Sequence, residues 1–178
     1  MPETIQVLDK EFTKYIPYEK LQSCIADVAL QLKRDLGDSD PLFIVTLNGA
    51  FMFAAELMKN FDMPAEISFV KFSSYTGTQS SGKVEKLIGL TSDIKGRDIV
   101  IIEDIVESGL TMKCMTEMLR EQNAGTVRIV ALFVKPNRLR YDVKVDYPVL
   151  TIEDDFIVGF GLDYNSYGRN YKDIYKLK

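Results

Sequence analysis

Short apolar runs alternate with amphipathic segments along most of this 178-residue chain, and that alternation restricts its possible folds most strongly. Residues 42–47 (LFIVTL) and 97–104 (RDIVIIED) contain apolar, β-branched runs typical of strands that are buried on both faces of a sheet. Between Pro17 and Gly37, apolar residues recur at the three- and four-residue steps of an amphipathic helix. Strands that alternate with helices form right-handed βαβ units. The sequence therefore predicts an α/β fold, with a mainly parallel twisted sheet and helices on both of its faces.

The length of the chain favours one domain, because globular domains usually contain roughly 100 to 200 residues. The helix–strand alternation ends near residue 146, and residues 147–178 contain short strand-like runs and turns without a long helix. We therefore predict a single domain over residues 1–178. Its core spans about residues 18–146. About residues 147–178, together with the N-terminal segment, form a small hood.

The charge and hydropathy of the chain argue against nucleic-acid and membrane partners. The net charge is -4 and the pI is about 5.0, whereas nucleic-acid binding calls for clustered excess lysine and arginine. No apolar run approaches the roughly 18 residues of a membrane span, and the first ten residues do not resemble a secretion signal. We expect no nucleic-acid or membrane partner, and a cytoplasmic protein.

Histidine is absent from the sequence, which limits the available chemistry. Imidazole acid–base catalysis, Ser-His or Cys-His nucleophiles and His-ligated zinc or haem are excluded. Cys24 and Cys114 lie in separate helix-like stripes, and we interpret them as free buried thiols. Any bound metal is then expected to be a hard ion held by oxygen, such as Mg²⁺ or Mn²⁺.

Two acidic residues stand at the predicted end of a buried strand. Glu103 and Asp104 follow the run IVII, at the sheet edge where open α/β folds bind their ligands. Carboxylates accept hydrogen bonds from sugar hydroxyls. A charged strand end without any ligand would also account for this pair taken alone.

The residues after the acids predict an anion site. The segment 107–111 (ESGLT) opens a helix, and Gly109 allows a close approach of the backbone. Successive amides, the helix dipole and the hydroxyls of Ser108 and Thr111 can together hold a phosphate. An acid pair beside a phosphate loop suits a phosphorylated ribose.

The segment IVIIEDIVESGLT resembles the phosphoribosyl pyrophosphate motif of the type I phosphoribosyltransferases. LNGAF, KFSSYTGTQSSG, LFVKP and DDFIVGFGLDYNSYGRN follow the order found in the hypoxanthine-guanine branch of that family, over roughly residues 42–171. The resemblance implies the type I phosphoribosyltransferase fold. It also implies a purine-salvage enzyme that transfers the 5-phosphoribosyl group from phosphoribosyl pyrophosphate to a 6-oxopurine, hypoxanthine or guanine, to give IMP or GMP and pyrophosphate.

The resemblance also implies roles for individual residues of the donor site. Glu103 and Asp104 match the acids that hold the ribose hydroxyls, directly or through Mg²⁺. The matched 5'-phosphate loop consists of Glu107, Ser108, Gly109, Leu110 and Thr111, and the first of these is the residue that exchanges a proton with the purine. Asp163 matches a carboxylate on the magnesium side. The matched pyrophosphate site consists of Leu47, Asn48, Gly49 and Arg169, where the family often has a non-proline cis peptide.

The remaining implied roles concern the purine and the closure of the site. Lys135 matches the lysine that donates to the purine 6-oxo group, and Phe156 matches the aromatic residue that stacks on the base. Ile157 corresponds to a residue that contacts the base through its backbone. Ser74-Tyr75 matches the dipeptide of a lid, and this lies in the polar stretch 73–86, which we predict to be one long loop. Relatives form homodimers or homotetramers, so we expect a homo-oligomer.

Two departures from the family pattern leave alternatives open. Glu107 stands where most relatives have aspartate, and Asn48 replaces a lysine that several relatives have at the pyrophosphate turn. Glu107 favours one alternative, a non-catalytic regulator that senses purine metabolites with the same fold. A second alternative is a phosphoribosyltransferase for adenine, orotate or uracil, against which Lys135 with Phe156 and Ile157 favours 6-oxopurines.

Overall fold

The structure, a computed structural model, describes residues 2–74 and 84–178, with the backbone alone at residues 72–74 and 84–88. Strands and helices alternate through most of the described chain. In order these are β1 (Thr4–Val7), β2 (Lys10–Ile16), α1 (Tyr18–Leu36), β3 (Leu42–Thr46), α2 (Phe51–Asn60), β4 (Glu66–Ser74), β5 (Val84–Ile88), β6 (Ile99–Val106), α3 (Leu110–Glu121), β7 (Val127–Val134), a 3₁₀ turn (Pro136–Arg138), β8 (Tyr147–Thr151), β9 (Ile157–Val158) and β10 (Ile174–Leu177).

The larger sheet has six strands in the order β5-β4-β3-β6-β7-β8. All its neighbouring strands pair in parallel except β4 and β5, which are antiparallel. Side chains alternate between its faces, so Phe43 and Val45 pack beneath α1 and α2, whereas Leu42 and Ile44 pack with α3. The predicted α/β fold, with a mainly parallel sheet and helices on both faces, is confirmed.

Helix α1 shows how the sequence determines these elements. Pro17 precedes its first residue and Gly37 follows its last with a φ of 54°, as the punctuation of the sequence predicts. Its buried residues form one apolar stripe: Leu21, Ile25, Val28, Ala29, Leu32 and Leu36. Full burial of a large aliphatic side chain contributes about 1.5–3 kcal/mol, so this stripe fixes the helix on the sheet.

Three predicted boundaries differ from the structure. Strand β6 continues for two residues beyond Asp104, so the acid pair lies within the strand. Residues 73–74 and 84–86, predicted to be loop, belong to strands instead, because β4 runs to Ser74 and β5 begins at Val84. Segment Tyr147–Thr151 was expected in the hood but forms the edge strand β8 of the larger sheet. Pro148 argues against a strand within a sheet, because proline is tolerated mainly in edge strands, and β8 is such an edge strand.

A smaller antiparallel sheet, in the order β1-β2-β10-β9, stands beside the larger one. Ile157, Phe160 and Ile174 from this part of the chain belong to the same buried cluster as α1 and α2. Because the two sheets share that core, we propose that residues 1–178 fold as one domain. No helix within residues 2–74 and 84–178 is long and apolar enough to cross a membrane.

Candidate active site

The acid pair of β6 is partly buried and lies near the carboxyl end of this central strand of the larger sheet. Glu103 Oε2 is buried and has no hydrogen-bond partner within the described residues. Burial and the neighbouring charge of Asp104 raise the pKa of the Glu103 carboxyl well above its usual value. Burial also raises the pKa of Asp104, against the opposing effects of the Ile105 amide and the charge of Arg169. Within the described residues, one oxygen of Glu103 is thus left without a protein donor, whereas Asp104 Oδ1 accepts a hydrogen bond from the Ile105 amide at 2.9 Å.

The turn after β3 packs directly against this pair. The peptide bond between Leu47 and Asn48 is cis. A Cβ atom added to Gly49 would stand 1.3 Å from Asp104 Oδ2, and one added to Gly161 would stand 2.0 Å from the Gly49 carbonyl oxygen. Gly161 has a φ of 102°, which L-amino acids with side chains rarely adopt. Two glycines therefore allow three backbone segments to meet at the acid pair.

Arg169 and Asp163 extend this cluster from the C-terminal part of the chain. Arg169 Nη1 donates to the Gly161 carbonyl oxygen at 2.6 Å, and its Nη2 lies 2.7 Å from Asp163 Oδ1. Asp163 Oδ2 accepts a hydrogen bond from the Ser166 amide at 2.6 Å. The sequence-predicted residues Leu47, Asn48, Gly49 and Arg169 are thus brought together at Asp104, and Asp163 is joined to them through Arg169.

The predicted phosphate loop connects β6 to α3. Gly109 precedes the helix with a φ of 83°, and the Ser108 hydroxyl accepts the Leu110 amide at 3.3 Å. The first amides of a helix have no carbonyl partner one turn earlier, so they can bind an anion. A cavity of about 180 Å³ opens here, lined by Glu103, Ile105, Val106, Glu107, Ser108, Gly109, Thr111 and Met112. Glu103 therefore borders the same cavity as the phosphate loop.

Lys135 lies at the end of β7 and is 5% exposed. Its Nζ donates to Glu107 Oε1 at 2.5 Å and to Asp154 Oδ1 at 3.5 Å. Asp154 Oδ2 also pairs with Arg138 Nη1 at 3.4 Å. The structure therefore joins Lys135 to the predicted phosphate loop through Glu107.

Ile157 is the first residue of β9, and Phe156 directly precedes it. Phe156 is 45% exposed, and its ring lies 6.2 Å from that of Phe12 and 5.9 Å from that of Tyr164. Ile157 is buried and pairs with Lys176 across β9 and β10. The aromatic face of Phe156 is thus accessible, whereas Ile157 can offer a ligand its backbone but little of its side chain.

The structure describes only part of the dipeptide Ser74-Tyr75, which is predicted to belong to a lid. The backbone of Ser74 ends β4, and Tyr75 lies outside the described residues. Both cysteines are free, as predicted, but each is only partly buried rather than buried.

The donor atoms of the acid pair fit a hard divalent cation. Carboxylate oxygens are the ligands that Mg²⁺ prefers, and one Glu103 oxygen is buried without a partner. The described residues contain no group of three or more acidic, cysteine or histidine side chains that could hold a metal by themselves. A cation here would therefore share its coordination with substrate oxygens and water, as Mg²⁺ commonly does.

Sequence reasoning missed two residues of this site. Asp154 contacts Lys135 across the sheet edge, and its position in an acidic loop sequence, EDD, gave no sign of that contact. Gly161 could have been found, because the pattern GFG next to a buried strand indicates a close backbone approach.

The comparisons with known proteins agree on one family. The phosphoribosyl transferase domain model matches residues 17–165. A hypoxanthine-guanine phosphoribosyltransferase from Streptococcus pyogenes is 43% identical over 149 residues, which is 83% of each chain. The Bacillus subtilis protein of the same name is 39% identical over 164 residues, covering 92% of this chain and 91% of that one. The crystal structure of a hypoxanthine phosphoribosyltransferase from Staphylococcus aureus is 34% identical with a TM-score of 0.84, covering 99% of this chain and 92% of that one.

Proposed function

Because this chain belongs to the hypoxanthine-guanine phosphoribosyltransferase family, we propose that it transfers the 5-phosphoribosyl group from phosphoribosyl pyrophosphate to a 6-oxopurine. Hypoxanthine and guanine would give IMP and GMP, with pyrophosphate as the second product, so the reaction is one of purine salvage. The observation that carries the proposal is the position of the acid pair Glu103-Asp104, because Glu103 lines the same cavity as the residues of the proposed phosphate loop. The named relatives give no support to the alternative of a non-catalytic regulator.

The donor ribose would lie between the acid pair and the phosphate loop. Glu103 and Asp104 accept hydrogen bonds from the ribose hydroxyls, and the loop residues hold the 5'-phosphate. The loop comprises Glu107, Ser108, Gly109, Leu110 and Thr111. The supporting observations are the left-handed backbone of Gly109 and its place directly before α3, because the first amides of a helix have no carbonyl partner one turn earlier.

The pyrophosphate would lie beside the turn after β3. Leu47, Asn48 and Gly49 offer backbone amides, and Arg169 offers a charged donor that can move from Asp163 to the phosphate oxygens. Glu103 and Asp104, with Asp163 nearby, would hold Mg²⁺ together with substrate oxygens. When bound, Mg²⁺ would neutralise charge on the departing pyrophosphate. The arrangement leaves Arg169 to stabilise the remaining negative charge.

The purine would bind between Lys135 and Phe156. The Lys135 ammonium has donors only, so it favours a 6-oxo group over the 6-amino group of adenine, which cannot accept those hydrogen bonds. The exposed face of Phe156 can stack on the base, and the backbone of Ile157 can contact its edge. These features favour a 6-oxopurine over adenine.

Glu107 would exchange a proton with the purine. It belongs to the proposed phosphate loop, lines the cavity beside Glu103 and accepts a hydrogen bond from Lys135 Nζ. An acid in this place can accept a proton as the base nitrogen attacks the ribose. Glutamate keeps the carboxylate of the family's aspartate and extends it by one methylene, so we expect activity with altered geometry. Ser74 and Tyr75 would belong to a lid that keeps water from the reactive carbon.

We also propose a cytoplasmic homodimer or homotetramer. The outer face of β4 carries Ile67 at 41% exposure and Phe69 at 49%, and Phe51 at the start of α2 is 43% exposed. Exposed large apolar side chains of this kind are often covered at a subunit interface. Sedimentation of the purified protein would test this, and a monomer at micromolar concentration would contradict it.

A turnover assay tests the proposed function directly. The protein is incubated with phosphoribosyl pyrophosphate, Mg²⁺ and one base at a time, and nucleotide formation is followed by chromatography. Hypoxanthine and guanine should be converted, while adenine, orotate and uracil should not. An Asp104→Asn variant serves as the inactive control. Failure to convert any base would contradict the proposal, and conversion of adenine alone would contradict the role of Lys135.

A further inference from the structure

The Lys135 ammonium is held by two carboxylates rather than one. Burying an ammonium group is costly unless it is paired and hydrogen-bonded. Within the described residues, Glu107 lies 2.5 Å and Asp154 lies 3.5 Å from Nζ. An ammonium has three donors, so two carboxylates still leave one donor for a ligand.

The two carboxylates differ in their freedom to move. Glu107 belongs to the phosphate loop and, under the proposed function, turns towards the purine. Asp154 is restrained on its other side, because its Oδ2 lies 3.4 Å from Arg138 Nη1. Arg138 is itself tied to the lysine by a hydrogen bond from its amide to the Lys135 carbonyl oxygen at 3.0 Å.

Asp154 also connects the lysine to the residues proposed to contact the base. It lies in the loop between β8 and β9, two residues before Phe156. A second contact fixes this loop on the 3₁₀ turn, since Asn137 Nδ2 donates to Glu153 Oε2 at 3.3 Å. A displacement of this loop would therefore change the distance between Lys135 and the aromatic ring.

We infer that Asp154 is a positioning residue for the purine site. It keeps Lys135 Nζ directed at the 6-oxo group when Glu107 leaves the lysine for the substrate. Its ion pairs are with Lys135 and Arg138, neither of which is among the residues proposed to hold the donor, so its effect should be confined to binding of the base. This inference rests on the proposed function and extends it to a residue to which the family resemblance assigns no role.

The test compares Asp154→Asn with Asp155→Asn. Asp155 is the adjacent acid, and it pairs with Lys176 at 3.6 Å instead of Lys135, so the control removes the same charge from the same loop. For Asp154→Asn we expect the KM for hypoxanthine to rise on the order of tenfold, the loss of one charge-assisted hydrogen bond. The KM for phosphoribosyl pyrophosphate should change by less than about twofold, because the loss of a charge-assisted hydrogen bond to the donor would raise it about tenfold. Asp154→Glu should restore most of the affinity for hypoxanthine.

Three results would overturn the inference. These are an unchanged KM for hypoxanthine, an equal rise for both substrates, or the same effect from Asp155→Asn. Thermal unfolding of each variant shows whether a general loss of structure causes the change. If the unaltered protein converts no base, the proposed function fails, and crystal structures of the Asp154→Asn variant then decide the positioning role alone. A Lys135 Nζ that stays in place contradicts it, and a displaced Nζ supports it.

Discussion

Replacement of Gly161 by alanine tests whether backbone packing positions the proposed pyrophosphate turn. The added Cβ would stand 2.0 Å from the Gly49 carbonyl oxygen, whereas real Cβ atoms essentially never approach closer than 3.0 Å. The turn must therefore move away from Gly161 by about 1 Å. A misplacement of about 1 Å can cost about 10²-fold in rate, which corresponds to about 2.7 kcal/mol of transition-state stabilisation.

The same substitution also strains the backbone at Gly161. Its φ of 102° is strained for alanine, which costs on the order of 1–3 kcal/mol of folding free energy. Gly96→Ala separates this strain from the clash, because Gly96 has a φ of 71° and nothing lies within 4 Å of its added Cβ. Both variants should be destabilised in urea unfolding.

Steady-state kinetics with varied phosphoribosyl pyrophosphate should then distinguish the two variants. We expect kcat/KM for the donor to fall about 10²-fold in Gly161→Ala and to stay near the unaltered value in Gly96→Ala. The reasoning is refuted if Gly161→Ala keeps full activity, or if Gly96→Ala loses as much.

Three further predictions concern single side chains. Lys135→Ala should reduce kcat/KM for hypoxanthine about 10- to 100-fold, the value of a hydrogen bond from a charged group, while calorimetry should show little change in donor binding; equal losses would count against its role. Glu107→Gln should lower kcat at least about 10²-fold with little change in donor KM, whereas Glu107→Asp should remain active in the same assay. Tyr147→Phe should reduce the free energy of unfolding by about 1 kcal/mol at neutral pH, because the Tyr147 hydroxyl donates to Asp35 Oδ2 at 2.8 Å. Burial and then Asp35 raise the Tyr147 pKa to about 12, above its value of 10.0 in unfolded chains, so this stabilisation should be lost as pH rises from 10 to 12, and a pH-independent difference in urea unfolding would contradict it.

The fold was largely predictable because its local signals agree with its packing. Pro17 and Gly37 mark the ends of α1, as helix geometry favours. The apolar runs of β3 and β6 reflect their burial on both faces of the sheet. Segment 147–151 was placed wrongly because an edge strand is fixed by pairing with its neighbour, which periodicity does not show. The pairing of β2 with β10 likewise joins residues far apart in sequence.

The site was predictable where the motif is continuous and less so where it is assembled from distant segments. The sequence placed Glu103 beside the phosphate loop, and the structure has both on one cavity. The contact of Gly161 with Gly49 depends on how the smaller sheet packs on the larger one. The contact between Asp154 and Lys135 depends on the path of an irregular loop, for which no sequence periodicity exists. The roles of these residues stay predictions.

A crystal structure with phosphoribosyl pyrophosphate and Mg²⁺ bound tests the central claim most directly. The 5'-phosphate should lie about 3 Å from the backbone amides of residues 108–111, and the ribose hydroxyls should contact Glu103 and Asp104 directly or through the cation. The pyrophosphate should lie against Gly49 and Arg169. A donor molecule bound elsewhere, or a protein that leaves it unbound at saturating concentration, would contradict the account.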